Sequence, residues 1–241
     1  MAASAVAREL GLARSTVYEL LGELADSGFV THLPEGRRYG LGPVAFEIGS
    51  AYLRGQPLEQ LATPVLTRLV EAAGGTAHLG VLHGTETLYL ARQRSAHGPA
   101  LVTRVGVRLP AALTATGLAM LAALPADQVR ALFPGEDAFV ARTARGVRSV
   151  PELRTRLGAV RRRGWAVEDG EVSPDTASLA AAVFDHNGLP AAAIGLTVAH
   201  RCPQPPDSVT GCGYELGEYA TVVRSAADAL TRSIAGRAPA T

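Results

Sequence analysis

The sequence predicts an α+β chain: a small helix–turn–helix head with a β-hairpin wing, a linker helix, and a larger antiparallel sheet with helices packed on it. Three observations carry this. Residues 1–42 hold two helical stretches and then two short β-prone runs, all within one short segment. Beyond residue 57, strand-like and helical runs intermix without the regular alternation of a doubly wound sheet. Finally, 241 residues with 47% hydrophobic and 19% charged content suit one small folded domain plus one of ordinary size.

The elements follow in order. In AASAVAREL, residues 2–10, Val6 and Leu10 share a helical face that Gly11 ends. The next stretch, RSTVYELLGELADS, places Val17, Leu20, Leu21 and Leu24 at the spacing of one buried face. Gly28 stands where a left-handed cap is wanted. FVTHL and RRYGL flank Pro34-Glu35-Gly36, a turn signal, and complete a wing. Residues 43–56 read as a linker helix. A longer helix opens at Pro57 and stops at Gly74-Gly75.

TAHLGVLH and ETLYLAR form a hairpin around Gly84-Thr85, and a third strand is expected over Ala100–Val105. Thr114-Ala115-Thr116-Gly117 leads into an apolar helix that ends near Leu124-Pro125. A short helix and a loop follow, then an Arg-rich helix from Pro151 to Gly164. WAVED, SLAAAVFD and PAAAIGLTV read as strands, with His186-Asn187-Gly188 turning the last two. A final helix is expected over Glu215–Ala235. The domain boundaries are therefore 1–42 for the head, 43–56 for the linker and 57–241 for the larger domain.

The formal charge is only +1, and all 23 basic residues are arginines. The N-terminus lacks the charged and apolar segments of a secretory signal, and no apolar run is long enough to span a membrane. Two cysteines, Cys202 and Cys212, are too few for a disulfide framework, so the cytoplasm is the expected compartment. His200 with these two makes a poor zinc pattern, and His78 and His83, five apart on a strand, point to opposite faces. No metal or cofactor is expected.

A helix-turn-helix wants a small residue in its first helix, a residue tolerant of positive φ in the turn and a β-branched core residue in the second. Ala7, Gly11 and Val17 supply these. The start of the second helix would then enter the major groove with Arg14, Ser15, Thr16 and Tyr18 off its core face. Arg37 and Arg38 at the wing tip would reach a phosphate or the minor groove. Residues 1–54 carry five arginines against six acidic groups, a net charge of −1. A single such head would hold DNA weakly, so a dimer on a two-fold operator is expected.

VARELGLARSTVYELLGELADSGFV, with a wing ending RRYGLGP, resembles the head of IclR-family regulators. RVGVRLPAALTATGLAMLAALP is similar to that family's strand–loop–helix beside the effector pocket. RRRGWAVEDGEVSPDTASLAAAVFDHNGLPAAAIGLTV resembles its paired final strands. The resemblance implies a profilin- or GAF-like sensor, a homodimer or dimer of dimers on palindromic DNA, and a small organic acid or aromatic carboxylate as effector. By position it implies a pocket of Ala115, Thr116, Glu168, Ser178, Gly195 and Thr197. Thr114 would cap the following helix and leave its first backbone N–H groups open to an anion.

The sequence departs from the family in several places. Leu118 stands where a lysine is common, Ser178 where a cysteine is, and Gly195 where a serine is. Gly195 is expected to make extra room in the pocket. Family heads carry a further helix before AASAVAREL, so this head is expected to lack its first helix. Two other functions remain open: an effector-binding protein without DNA binding, and an enzyme on a GAF-like scaffold. No serine or cysteine has a recognisable base beside it, so hydrolase chemistry is not supported.

Overall fold

The computed structural model describes residues 1–34, 36, 38–48, 57–99, 101, 103–200 and 212–239, with Pro57 and 212–215 described by backbone alone. The chain divides into two units, Met1–Pro57 and Leu58–Thr241.

In the first unit, helix α1 (Ala3–Leu10) ends at Gly11, whose φ of 65° lets its N–H reach back to the Ala7 carbonyl. Helix α2 (Arg14–Asp26) packs on it through a small core of Ala3, Ala7, Val17 and Leu21. Past its end, Gly28 N–H donates to Ala25 O and Phe29 N–H to Leu24 O, with Gly28 at φ 75°. These two bonds close a Schellman cap and satisfy orphan carbonyls. Strands β1 (Val30–Leu33) and β2 (Arg38–Leu41) pair antiparallel, from Val30↔Leu41 to Leu33↔Arg38. Helix α3 begins at residue 43 and is described to residue 48; 49–56 lie outside the described residues.

The expected core of this unit needs correction. Leu10, Leu20 and Leu24 are exposed, at 62%, 49% and 42%. Small Ala3 and Ala7 set a close α1–α2 approach that only Val17 and Leu21 fill. No other described element of the unit covers the flanking leucines.

The second unit is a six-stranded sheet in the order β5-β4-β3-β8-β7-β6, every neighbour antiparallel. The strands are β3 (Thr76–His83), β4 (Glu86–Arg94), β5 (Arg108–Pro110), β6 (Ala166–Asp169), β7 (Thr176–Phe184) and β8 (Pro190–Ala199). Alternate residues serve opposite faces. Ala177, Leu179, Ala181 and Val183 of β7, with Ile194 and Leu196 of β8, meet helices α4 (Pro57–Ala73) and α8 (Ala220–Ser233). The other face takes helices α5 (Ala115–Ala123), α6 (Ala126–Leu132) and α7 (Val150–Arg163) against Ala166, Ala180 and Ala193. Both faces are covered, which is why the last strands read as almost unbroken apolar runs.

Two expected elements differ. No strand runs through the described residues of Ala100–Val105; the third strand is Arg108–Pro110, and Ala100 and Val102 lie outside the described residues. Gly106 at φ 83° turns the chain, tied by its N–H to the Tyr89 carbonyl, so Leu101 and Thr103 belong to a loop. The final helix is also shorter than expected: Cys212–Tyr219 is 3₁₀, and the α-helix begins at Ala220.

Candidate functional site

In the first unit, Ala13 starts α2 without a side-chain cap. Arg14, Ser15, Thr16 and Tyr18 are all exposed on its first turns, while Val17 between them is buried. Arg38 is exposed at the start of β2, whereas Arg37 lies outside the described residues. Four hydroxyl or guanidinium side chains thus share the open end of a helix. That surface suits phosphate and base-edge contacts.

In the second unit, the six residues that the resemblance implies converge on one cavity. Ala115 and Thr116 come from the start of α5, Glu168 from β6, Ser178 from β7, and Gly195 and Thr197 from β8. Pairing puts Ser178 opposite both Glu168 and Thr197. The cavity has about 30 Å³ of room for water centres, enough for about two waters.

Gly195 does not enlarge the pocket as expected. A Cβ there would lie 2.8 Å from the Thr116 methyl carbon, which occupies the space.

The wall includes residues that the sequence did not assign to the pocket, His78 and Tyr89 above all. His78 Nε2 is 2.9 Å from Thr103 Oγ1, and its ring meets that of Tyr89 edge-on at 5.4 Å. Burial, then nearby Arg92, lowers His78 to about 3, so it is neutral. Tyr89 is pushed up to about 12 chiefly by burial, and its hydroxyl lies 3.2 Å from Thr116 Oγ1. The sequence showed these residues only as members of a hairpin; the β3–β8 pairing brings them to the pocket strands.

Thr114 caps α5, its Oγ1 accepting from Gly117 N–H at 3.0 Å and lying 3.1 Å from Thr87 Oγ1. The Leu118 N–H bonds the Thr114 carbonyl. The N–H groups of Ala115 and Thr116, at the cavity wall, lie outside the intrahelical bonds of α5.

Glu168 is the one charge-bearing group at the wall whose charge matters near neutral pH. Burial, then the neighbouring Glu171, raises it to about 8, against hydrogen bonds from the Val172 and Glu171 N–H groups and Ser178 that favour the ionised form. Glu171 is raised too, mainly by burial, and is ion-paired with Arg156. No arginine lines the cavity among the described residues. An ionised Glu168 about 4 Å from a bound carboxylate would repel it by about 4 kcal/mol at an effective dielectric near 20. A protonated Glu168 would not.

The rest of the molecule adds no metal centre: among the described residues no three His, Cys, Asp or Glu side chains are placed to hold one. His83 bonds Arg108 on the surface, whereas His78 joins the cavity wall. Trp165 is partly buried against the core and lies 4.2 Å beneath the Arg163 guanidinium. No helix of the described residues is long and apolar enough to cross a membrane.

A helix-turn-helix unit and an α+β unit with a buried polar pocket are the parts of a one-chain transcription factor. Residues 50–231 match the family profile of the bacterial transcriptional regulator IclR C-terminal domain, and residues 1–34 match the IclR helix-turn-helix domain. The chain belongs to the IclR family of DNA-binding transcriptional regulators.

Among relatives, it is 32% identical to the glycerol operon regulatory protein of Streptomyces griseus over 237 residues, 97% of this chain and 89% of that one. It is 30% identical to the transcriptional repressor IclR of Escherichia coli, over 82% of this chain and 72% of that one. Among solved structures, an IclR transcriptional regulator of Silicibacter sp. TM1040 aligns with TM-score 0.82 at 26% identity, covering 99% and 91% of the two chains. An IclR homolog of Microbacterium hydrocarbonoxydans complexed with 4-hydroxybenzoate has the same fold, with TM-score 0.76 at 20% identity and coverage of 97% and 91%.

Proposed function

We propose that this protein is a repressor whose operator affinity is set by a small carboxylic acid bound in the larger unit. The observation that carries the reading is the cavity itself. A capped helix start, two strand hydroxyls and one buried carboxyl line the same small cavity. The anion sits at the N–H groups of Ala115 and Thr116, where the helix dipole favours negative charge. Thr197 bonds its other oxygen, backed by Ser178 and Glu168, with Gly195 beneath. A structural neighbour's 4-hydroxybenzoate supports an acid of that kind. A ring is larger than the room for about two waters, so an aromatic acid would enter by displacing the Leu101 and Thr103 side chains.

On DNA, Arg14, Ser15, Thr16 and Tyr18 enter the major groove, and Arg37 and Arg38 hold the flanking backbone. The head is 1–42, the linker 43–56 and the sensor 57–241. A homodimer or dimer of dimers supplies two heads to a palindromic operator, because a head with net charge −1 gains little from phosphates alone. The protein acts in the cytoplasm, where its DNA and the acid are both accessible.

Two measurements test this reading. Calorimetric titration with lactate and 4-hydroxybenzoate should detect binding that Thr197→Val weakens. Anisotropy with DNA from the gene's own upstream region should detect binding that falls steeply with salt. Acid binding without any DNA preference would reduce the protein to a metabolite receptor.

A further inference from the structure

Glu168 ends a chain of hydrogen bonds whose direction depends on its proton. Its Oε1 accepts from the N–H of Glu171 at 2.7 Å and of Val172 at 3.0 Å, so that oxygen is occupied. Its Oε2 is 3.0 Å from Ser178 Oγ, which is 2.8 Å from Thr197 Oγ1. Each hydroxyl has one hydrogen to give.

With Oε2 ionised, Ser178 donates to it, Thr197 donates to Ser178, and Thr197 offers the cavity a lone pair. With Oε2 protonated, Glu168 donates to Ser178, Ser178 donates to Thr197, and Thr197 turns its hydrogen into the cavity. We propose that Glu168 is the specificity-determining residue of this pocket: the proton it holds turns Ser178 and Thr197 into donors, so that a wall without a cation accepts a carboxylate. The inference rests on the acid-sensing reading above and names how the pocket selects its ligand.

The surroundings of Glu168 support a held proton. It is 2% exposed. From its own loop it faces Glu171, a like charge, which is paired with Arg156 from α7 and flanked by Arg145. From β4 and β3 come Tyr89 and His78, both neutral near pH 7. Asp169, the next residue on β6, is set 3.8 Å from His200. Among the described residues no cation reaches Glu168 itself to favour its ionised form. As pH rises past the point where Glu168 ionises, the chain reverses. Binding a carboxylate then requires uptake of one proton from solvent, and the pocket turns toward ligands that donate.

Infrared difference spectra of the full chain, wild type minus Glu168→Gln, report the proton without any ligand. A protonated-carboxyl band should be present near neutral pH and fade as pH passes about 8. Calorimetry with lactate and 4-hydroxybenzoate, in buffers of different ionisation heat, reports the linkage. Wild-type affinity should fall about tenfold per pH unit above Glu168's ionisation, with about one proton taken up. Glu168→Gln keeps an N–H donor toward Ser178, so its affinity should be flat with pH and need no proton. Absence of the band overturns the inference. So does binding whose affinity is flat with pH in wild type, although acid sensing would then stand. Failure of both acids to bind at any pH overturns the acid-sensing reading, and this inference with it.

Discussion

Replacing Thr114 by valine tests how the start of α5 is held. Valine keeps the shape and removes the hydroxyl. Thr114 is 3% exposed and its partner Thr87 is fully buried. The hydroxyl caps Gly117 N–H at 3.0 Å and meets Thr87 Oγ1 at 3.1 Å. Loss of a cap costs about 1 kcal/mol. Leaving the Thr87 hydroxyl without its partner adds about 1–3 kcal/mol. The expected loss is about 3 kcal/mol, or roughly 6–12 °C in melting temperature for a unit of this size. Thr114→Ser keeps the oxygen and loses one buried carbon, about 1 kcal/mol. Urea unfolding followed by fluorescence of Trp165, the single tryptophan and part of the larger unit, separates these values. In a double-mutant cycle, Thr87→Val should cost less in the Thr114→Val background than in wild type. Equal losses for Thr114→Val and Thr114→Ser would refute this account of the cap.

Three further outcomes follow from the same geometry. Gly117→Ala would gain about 1 kcal/mol if helix propensity alone acted. An added Cβ there overlaps the Ala111 carbonyl, so unfolding should instead show a loss of about 3 kcal/mol or more. Glu168 has its folded pKa raised to about 8 from an ordinary 4.5, so its burial costs nothing below pH 4.5 and an increasing amount up to about pH 8. Relative to wild type, Glu168→Gln should therefore gain stability over that window, on the order of 5 kcal/mol at its top. Parallel stability curves for the two proteins would contradict the shift. On DNA, Arg38→Ala should weaken all sequences alike and reduce the salt slope by about 1, whereas Arg14→Ala should cost about 1–3 kcal/mol and relax sequence preference.

Much of this architecture was legible because local chemistry dictated it. Gly11 and Gly28 had to sit at positive φ, and they do. Thr114 had to cap a helix whose first turn lacks any charged residue. The pocket strands were visible as apolar runs, each with a polar member, Ser178 and Thr197, that the register sets side by side.

What was hidden depends on tertiary placement. Val17, Leu20, Leu21 and Leu24 share a helical stripe, but the stripe cannot reveal that α1 is narrow enough to cover only two of them. The run from Ala100 to Val105 has strand-like composition, yet Gly106 turns the chain at the Tyr89 carbonyl, and Leu101 and Thr103 line the cavity. His78 and Tyr89 join the site because the sheet order sets β3 against β8, which no local pattern states. Gly195 looked like added space until the Thr116 methyl was placed there.

The most direct test of the account is operator affinity with and without acid, in wild type and in Thr197→Val. Anisotropy on upstream DNA at fixed salt should show lactate or 4-hydroxybenzoate shifting wild-type affinity by about fivefold or more, within the usual range of coupling between sites. Thr197→Val should bind the same DNA equally well and respond little. No shift in wild type, or an equal shift in the variant, would contradict the claim that this pocket controls the head.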